Sequence, residues 1–251
     1  MTRKSHTALP SFGPALGKMA AAALAATAFA APAHAGVVGF DADYSMAFAH
    51  GDTWTEAGYK LTFDAYKDGA DGSNGVGAII DSTDPWPCIG GACPVNGDGT
   101  YYGAFNDSVV WLESATQNAR FRFNSIDASF IGAFPSLGAY PIISGILSVQ
   151  ALTADGQTLV RDLYLDGPGA NGFEFGTYFF DAAFASADLL QVGMFGYVCD
   201  ATGSCNAFGT NQGQFAIDNL NLTEVPEPAS IALFGMGAMG LLAAARRRRH
   251  A

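Results

Sequence analysis

The sequence predicts an all-β protein, a β-sandwich or barrel, over its long central part. Apolar residues with helical spacing are scarce there, whereas short runs of β-branched and aromatic residues recur. Clusters of Gly, Asp and Asn, which favour tight turns, separate those runs, and the chain contains 31 glycines. These patterns indicate many short strands joined by turns.

The candidate strands follow one another closely along the chain. They cover positions 37–40, 59–66, 76–80, 101–105, 109–113, 120–130, 142–152, 158–165, 173–180, 189–197 and 214–223. The dipeptide Asp155-Gly156 and the Asp-Gly-Pro-Gly segment 166–169 have turn chemistry and separate the strands around them. We expect a short helical turn within 181–190.

Two of these strands change the phase of their alternation. In 120–130 the apolar residues move from odd to even positions after Ser125, and in 214–223 they do so after Asp218-Asn219. Strict pleating would turn one apolar set of each strand to solvent. The sequence therefore predicts a bulge or bend at both places.

The C-terminal segment 225–251 has a different composition. Val225-Pro226-Glu227-Pro228 precedes an uncharged apolar run, 229–245, and then the basic cluster Arg246, Arg247, Arg248 and Arg249. As a helix the run would be about 25 Å long, close to the shortest that crosses a bilayer core. The arginines would stay cytoplasmic, which places the preceding chain outside.

This order of features resembles the PEP-CTERM protein-sorting signal. The resemblance implies recognition by an exosortase, a membrane-embedded cysteine transpeptidase-like enzyme, and cleavage near Pro226-Glu227-Pro228. It also implies a Gram-negative bacterium that makes extracellular polysaccharide. A generic single-span anchor is the alternative interpretation of the same residues.

The N-terminal segment 1–35 has the pattern of a Sec-type signal peptide. Basic residues precede an apolar run at 19–31, and Ala33-His34-Ala35 fits small-x-small cleavage before Gly36. An uncleaved membrane anchor fits less well because the run is too short to span a bilayer. The predicted organisation is thus a signal peptide (1–35), an extracellular β-sandwich (36–224) and a sorting segment (225–251).

The body between these segments is strongly acidic. It holds five Lys and Arg against 22 Asp and Glu, a net charge of about −17. Nucleic-acid binding needs clustered basic residues, so this composition excludes it, and it disfavours binding of an anionic polysaccharide by charge attraction. It permits divalent cations, although solubility of a secreted protein also explains the charge.

Four cysteines lie in two Gly-containing loops, at Cys88, Cys93, Cys199 and Cys205. An oxidising compartment favours disulfides. Pairing within each loop and pairing between the loops are both compatible with the spacing. A four-cysteine zinc site is the alternative, but neither pair has the usual two-residue spacing.

The strand order over 120–223 resembles the jelly-roll module of many PEP-CTERM proteins, which is similar to galactose-binding-like and carbohydrate-binding sandwiches. The closing Gln214-Phe215-Ala216-Ile217-Asp218 resembles a Gln-Phe-x-x-Asp subgroup. In such sandwiches an Asp of the last strand binds structural calcium with an acid of the first. The matching residues are Asp218 with Asp41 or Asp43. The alternative is that Asp218 and Asn219 satisfy backbone groups at the bulge.

The body offers little for catalysis. His50 is its single histidine, it precedes a Gly-Asp turn, and no Gly-x-Ser-x-Gly nucleophile motif accompanies it. Paired carboxylates of a glycoside hydrolase have no distinguishing spacing among so many acids. We therefore expect no enzyme, with a polysaccharide hydrolase as an alternative.

Aromatic residues are candidates for stacking against sugars. They are Trp54, Trp86, Trp111, Tyr101, Tyr102, Tyr140 and Tyr197. Trp86, between two prolines and beside Cys88, is the preferred ligand contact, with core packing as its alternative, and Trp111 is expected in the core. The predicted function is that of a surface or matrix protein associated with exopolysaccharide or biofilm, able to bind glycan. A calcium-stabilised adhesion protein without ligand is the alternative.

Overall fold

The computed structural model describes residues 35–41, 46–66, 75–84, 88, 91–97, 99–133, 140–226 and 237. Contacts divide the chain into a compact unit over Ala33–Val225 and a second unit made of Met1–Pro32 and Pro226–Ala251. Within the described ranges, no helix is long and apolar enough to cross a membrane. The predicted span at 229–245 lies outside those ranges except for Gly237.

The described part of the compact unit consists of strands and one helical turn. In chain order they are β1 (Ala35–Val38), β2 (Met46–Phe48), β3 (Asp52–Glu56), β4 (Tyr59–Ala65), β5 (Gly77–Asp81), β6 (Gly91–Ala92), β7 (Thr100–Ala104), β8 (Ser108–Ser114), β9 (Arg120–Phe130), β10 (Gly132–Ala133), β11 (Ile143–Thr153), β12 (Thr158–Asp166), β13 (Gly176–Phe179), α1 (Ala182–Ala185), β14 (Leu189–Cys199), β15 (Cys205–Asn206) and β16 (Phe215–Val225). The predicted helical turn within 181–190 is therefore present as α1.

The strands form two layers. The first layer has the order β2-β5-β7-β16-β9-β13, with β1 also paired to β16, and the second has the order β12-β11-β14-β8-β4-β3, with β15 paired to β14. A single pairing between Leu189 and Phe121, near the first residues of β14 and β9, connects the layers. Strands β6 and β10 form a separate small pair.

Aromatic and aliphatic side chains of the two layers meet in one core. Phe63 of β4 stacks on Tyr102 of β7 with ring centroids 4.3 Å apart, and Tyr59 of β4 contacts Phe121 of β9 at 5.7 Å. All four side chains are essentially inaccessible to solvent. Because alternate residues of each strand point inward, both layers bury one face, and the predicted β-sandwich is confirmed.

Both predicted bulges are present where β16 pairs with β9. The register shifts between Asp218 and Asn221 and again between Asn221 and Leu222, and Asn219 has a φ of 48°. On the partner strand, Asn124 donates from Nδ2 to Asn221 Oδ1 at 2.9 Å. The bulges restore the inward direction of Leu222 after the change of phase.

Two strands near the N-terminus were not predicted, β2 and β3. The residues of β3, Asp-Thr-Trp-Thr-Glu, are mostly polar because this strand lies at a sheet edge and pairs only with β4 among the described strands. Polar edge strands lack the apolar alternation on which prediction depends.

Candidate functional site

The second layer presents its outer face to solvent, and alternate residues of its strands form that face. On β8 these residues are Val109, Trp111 and Glu113, whereas Val110 and Leu112 point into the core. Antiparallel pairing places Trp111 opposite Gly193 of β14 and Val109 opposite Phe195.

Aromatic side chains concentrate on this face. Phe195 contacts Tyr197 with ring centroids 5.6 Å apart and Phe208 at 4.9 Å, and Phe208 stacks on Tyr66 at 3.9 Å with an interplanar angle of 9°. We call Tyr66, Trp111, Tyr164, Phe195, Tyr197 and Phe208 the aromatic strip. Each of them is half-buried or exposed, Tyr164 to 58% and Tyr66 to 50%.

Trp111 lies on the surface, so its predicted place in the core was wrong. It is 37% exposed, and its benzo edge occupies the space where a side chain of residue 193 would be. A Cβ built on Gly193 would lie 2.7 Å from Trp111 Cζ3. The apolar run 109–112 suggested a buried segment, but the pleat of β8 turns Val110 and Leu112 into the core and Trp111 to the surface.

A buried carboxylate holds the loop that carries Phe208. Asp107 is 5% exposed, and its oxygens accept hydrogen bonds from the backbone N–H groups of Gly209 (2.7 Å), Asn211 (3.0 Å) and Gly213 (3.3 Å). Phe208 has a φ of 57°, a conformation that costs a bulky residue free energy. The three bonds compensate that cost and fix the ring against Tyr66 and Phe195.

A cavity lies at each end of the strip. The first, of about 570 Å³, is lined by polar groups that include Lys60, Glu113, Gln117, Asn118 and Gln191. The second, of about 530 Å³, is mostly apolar and is lined by Pro141, Ile142, Tyr164, Cys199 and Cys205 among others. We call them the polar cavity and the apolar cavity.

Two pairs of charged or ionisable groups lie at the border of the strip. Lys60 Nζ lies 3.0 Å from Glu113 Oε1, which neutralises that lysine. Asp64 lies 3.3 Å from His50 Nδ1, which also accepts the backbone N–H of Ala65. The predicted lone histidine is thus a surface residue whose ring nitrogen is engaged with neighbouring strand ends.

The predicted calcium residues lie in a second place, beside the bulge. Burial raises the pKa of Asp218 to about 7, and the nearby charges of Asp127, Asp41 and Glu56 add to this effect, while the Asn219 N–H opposes it. Glu56 itself accepts the N–H groups of Gly39 and Phe40 and of the Trp54 indole. Among the residues whose placement is described, no group of three or more His, Cys, Asp or Glu is arranged to hold a metal ion. Asp43 lies outside the described residues.

The cysteines pair within their own loops. Cys88 is bonded to Cys93 and Cys199 to Cys205, so the second disulfide closes the turn between β14 and β15 beside the apolar cavity. This pairing leaves no thiolates for the alternative zinc site.

Several predicted site residues lie elsewhere. Trp86, Ala33, Glu227, Pro228 and Arg246 to Arg249 are outside the described residues, and Ala35 and Gly36 belong to β1. Tyr101 and Tyr102 are buried, Tyr140 packs on Phe130 and Phe173, and Trp54 packs beside Phe48. Of the aromatic residues singled out in the sequence whose placement is described, Trp111 and Tyr197 are in the strip.

The family described as the PEP-CTERM protein-sorting motif matches residues 224–249. The chain carries a PEP-CTERM motif. This motif indicates a protein that is targeted by an exosortase and is exported to the membrane or cell surface. It covers the Pro-Glu-Pro segment and the arginines identified above; the Gln-Phe-x-x-Asp subgroup stays a prediction.

No curated protein matches the sequence of this PEP-CTERM protein. Solved structures with some likeness include TmCBM61 in complex with β-1,4-galactotriose, which is 7% identical, with a match covering 66% of this chain and 88% of that one and a TM-score of 0.32. A family 29 carbohydrate-binding module complexed with mannohexaose is 12% identical, with 77% and 93% covered and a TM-score of 0.31. With TM-scores this low, the chain's own strand pairing establishes the sandwich.

Proposed function

We propose that this PEP-CTERM protein is a non-catalytic, glycan-binding protein of the cell surface, and that the aromatic strip is its ligand-binding surface. The observation that carries the proposal is the concentration of exposed aromatic rings on one face of one sheet. Soluble proteins rarely leave a contiguous apolar surface uncovered unless it binds something. The apolar faces of pyranose rings pack on aromatic rings, and hydroxyl groups suit the amides of the adjoining polar cavity.

The proposal places the protein outside a Gram-negative cell, in contact with exopolysaccharide or a biofilm matrix. Export would use the Sec machinery and the predicted signal peptide, with cleavage before Gly36. Exosortase would then act near Pro226-Glu227-Pro228, so membrane attachment through 229–245 would last until that step. These assignments rest on the sorting motif and on the residue patterns of both ends.

A pull-down with insoluble polysaccharides tests the binding function. We expect the purified full chain to be retained by at least one of cellulose, xylan, mannan and β-1,4-galactan. The double substitution Trp111→Ala with Phe195→Ala should lower retention by about ten-fold or more, because each stacked ring supplies roughly 1 kcal/mol.

Phe179 provides the matched control for this experiment. It is 79% exposed but belongs to β13 of the first layer, so Phe179→Ala removes an exposed ring from the other sheet. Retention should be unchanged in this variant. Equal losses in both variants, or no retention of the unmodified chain by any of the four polymers, would contradict the proposed function.

A structural role for calcium is the second proposal, and it is supported by the buried carboxyl group of Asp218, whose pKa the nearby charges of Asp127, Asp41 and Glu56 help to raise. A cation bound there would relieve the repulsion between these carboxylates, since calcium prefers carboxylate and carbonyl oxygens. Asp218 and Asp41 are the residues that would bind it, next to Glu56 and Asp127. In this role the sandwich would serve adhesion or matrix structure without a glycan ligand.

A further inference from the structure

We propose that the outer face of β14, formed by Gln191, Gly193, Phe195, Tyr197 and Cys199, binds a linear, uncharged polysaccharide. We call this face the track. The track is about 26 Å long and accommodates about five sugar residues. This inference rests on the function proposed above. It adds the direction of the bound chain, which is along the strand, and the class of ligand.

One strand connects the two cavities. Gln191, Gly193, Phe195, Tyr197 and Cys199 alternate along β14 and therefore point to the same side of the sheet. Gln191 lines the polar cavity and Cys199 lines the apolar cavity. A chain lying on β14 would thus pass from hydrogen-bonding groups, over aromatic rings, to an apolar end.

Gly193 makes the track continuous. It is the position on this side of β14 without a side chain, and the ring of Trp111 from the neighbouring strand occupies the space. Any side chain at 193 would displace that ring, because even a Cβ would approach Cζ3 to 2.7 Å. Gly193 is accordingly a positioning residue for Trp111, which covers the gap between Gln191 and Phe195.

The rim of the track selects against acidic sugars. On one side of Phe195, Ser148 of β11 pairs with it and also with Asp162 of β12. On the other side, Val109 of β8 pairs with Phe195 and also with Asp64 of β4. The described outward positions of β4, β8, β11, β12 and β14 contain one basic residue, Lys60. Glu113 forms an ion pair with Lys60 and neutralises it. A uronic-acid polymer would therefore approach the carboxylates of Asp162 and of Asp64, which lies beside His50, whereas a neutral polymer brings no like charge to them.

The apolar cavity closes the far end. Tyr164 pairs with Ile146, which pairs with Tyr197, so the strip reaches this cavity across β11 and β12. The Cys199–Cys205 disulfide forms part of its wall. A terminal sugar can therefore lie against Tyr164 with its apolar face inward.

The test uses the full chain and size-fractionated oligosaccharides, from about two to about eight residues, prepared from whichever of the four neutral polymers retains the protein. Calorimetry should show affinity rising with length and levelling at about five residues, the number that the ~26 Å track accommodates. Gly193→Ala should remove most of this gain, so that long oligosaccharides bind about as weakly as trisaccharides. Tyr164→Ala should shift the plateau to a shorter oligosaccharide by about one residue.

The possible failures are distinguishable. If a polymer retains the chain but affinity already levels at a disaccharide or trisaccharide, the track is wrong and the binding function stands. The track is also wrong if the Gly193→Ala variant keeps the full gain of affinity with oligosaccharide length although its indole is displaced. Thermal unfolding would show that this variant is folded, and the near-UV tryptophan signal would show the displaced indole. If an acidic polymer such as polygalacturonate binds better than the neutral ones, the assigned ligand class is wrong. Retention by no polymer overturns the track together with the proposed function.

Discussion

At Asp218 the chain buries a carboxyl group close to Asp127, Asp41 and Glu56. Burial raises the pKa of Asp218 from the ordinary 3.8 to about 7, so the folded state binds a proton more tightly than the unfolded state. Such a group contributes stability that is fully present below pH 3.8 and is lost as the pH rises through about 7. The resemblance to jelly-roll sandwiches singled out the residue, and its burial beside other acids gives it this property.

In calcium-free buffer we therefore expect the thermal stability of the protein to fall between about pH 4 and pH 7, by on the order of a few kcal/mol, and to level off above that range. Asp218→Asn should remove most of this slope, because the amide does not ionise. Thermal unfolding followed by circular dichroism across this pH range measures both. Millimolar calcium at pH 8 should raise the melting temperature of the unmodified chain and leave that of Asp218→Asn nearly unchanged.

Glu174→Gln is the control, since it removes one acidic group at an exposed position. It should keep the slope of the unmodified chain. A melting temperature that responds to neither calcium nor chelator would count against the ion while leaving the pH effect intact. A flat pH profile in the unmodified chain would contradict the burial argument itself.

Among the elements, the loop 207–213 shows how one side chain organises a surface. Asp107 lies in the turn before β8, and its three hydrogen bonds to backbone N–H groups cross more than one hundred positions of sequence. They hold Phe208 in a conformation that it would otherwise leave. The position of the ring between Tyr66 and Phe195 therefore depends on a residue that contacts no ligand.

Asp107→Ala should lower stability by roughly 1–3 kcal/mol, because the buried N–H of Gly213 and the more exposed N–H groups of Gly209 and Asn211 lose their acceptor. It should also weaken polysaccharide retention, since Phe208 would no longer be fixed. Chemical denaturation measures the first effect and the pull-down measures the second.

The comparable change on the other layer is Asp81→Ala. Asp81 accepts two hydrogen bonds from Thr83 in a turn after β5. Retention should be unaffected there, even if stability falls somewhat. If Asp107→Ala lowers stability but leaves retention intact, Phe208 does not contribute to binding.

Over the whole compact unit, the first and last strands bring the two chain exits together. Ala35 pairs with Thr223 in the antiparallel β1–β16 pair, two residues before Val225. Glu224 pairs with Phe121, which also pairs with Leu189 at the start of β14. The aromatic strip therefore continues along β14 away from the end at which the chain enters and leaves the sandwich.

The body 36–225 should fold without the flanking segments, because the described core lies within it. We expect a single cooperative unfolding transition for this fragment and the same retention by polysaccharide as for the full chain. Thermal unfolding and the pull-down are the measurements. A fragment that lacks a cooperative transition, while the full chain has one, would contradict this expectation.

Much of the architecture could be predicted because it depends on local patterns. The alternation in 120–130 and 142–152, the bulge at Asp218-Asn219 and the C-terminal motif are all encoded within short segments. Strands without an apolar pattern, such as β3, could not be found this way.

The candidate site depended on which residues tertiary pairing brings together. Trp111 was expected in the core, and its exposure follows from the phase of β8 against β14, which no local pattern specifies. Phe208 lies in the strip because Asp107 accepts hydrogen bonds from the loop that carries it, and the sequence of this loop does not resemble a strand. By itself, the sequence determined a β-sandwich with an export and sorting tag, because composition and periodicity are local properties. Only the tertiary structure decided the binding surface, because a side chain's exposure depends on the register of strands far apart in the chain.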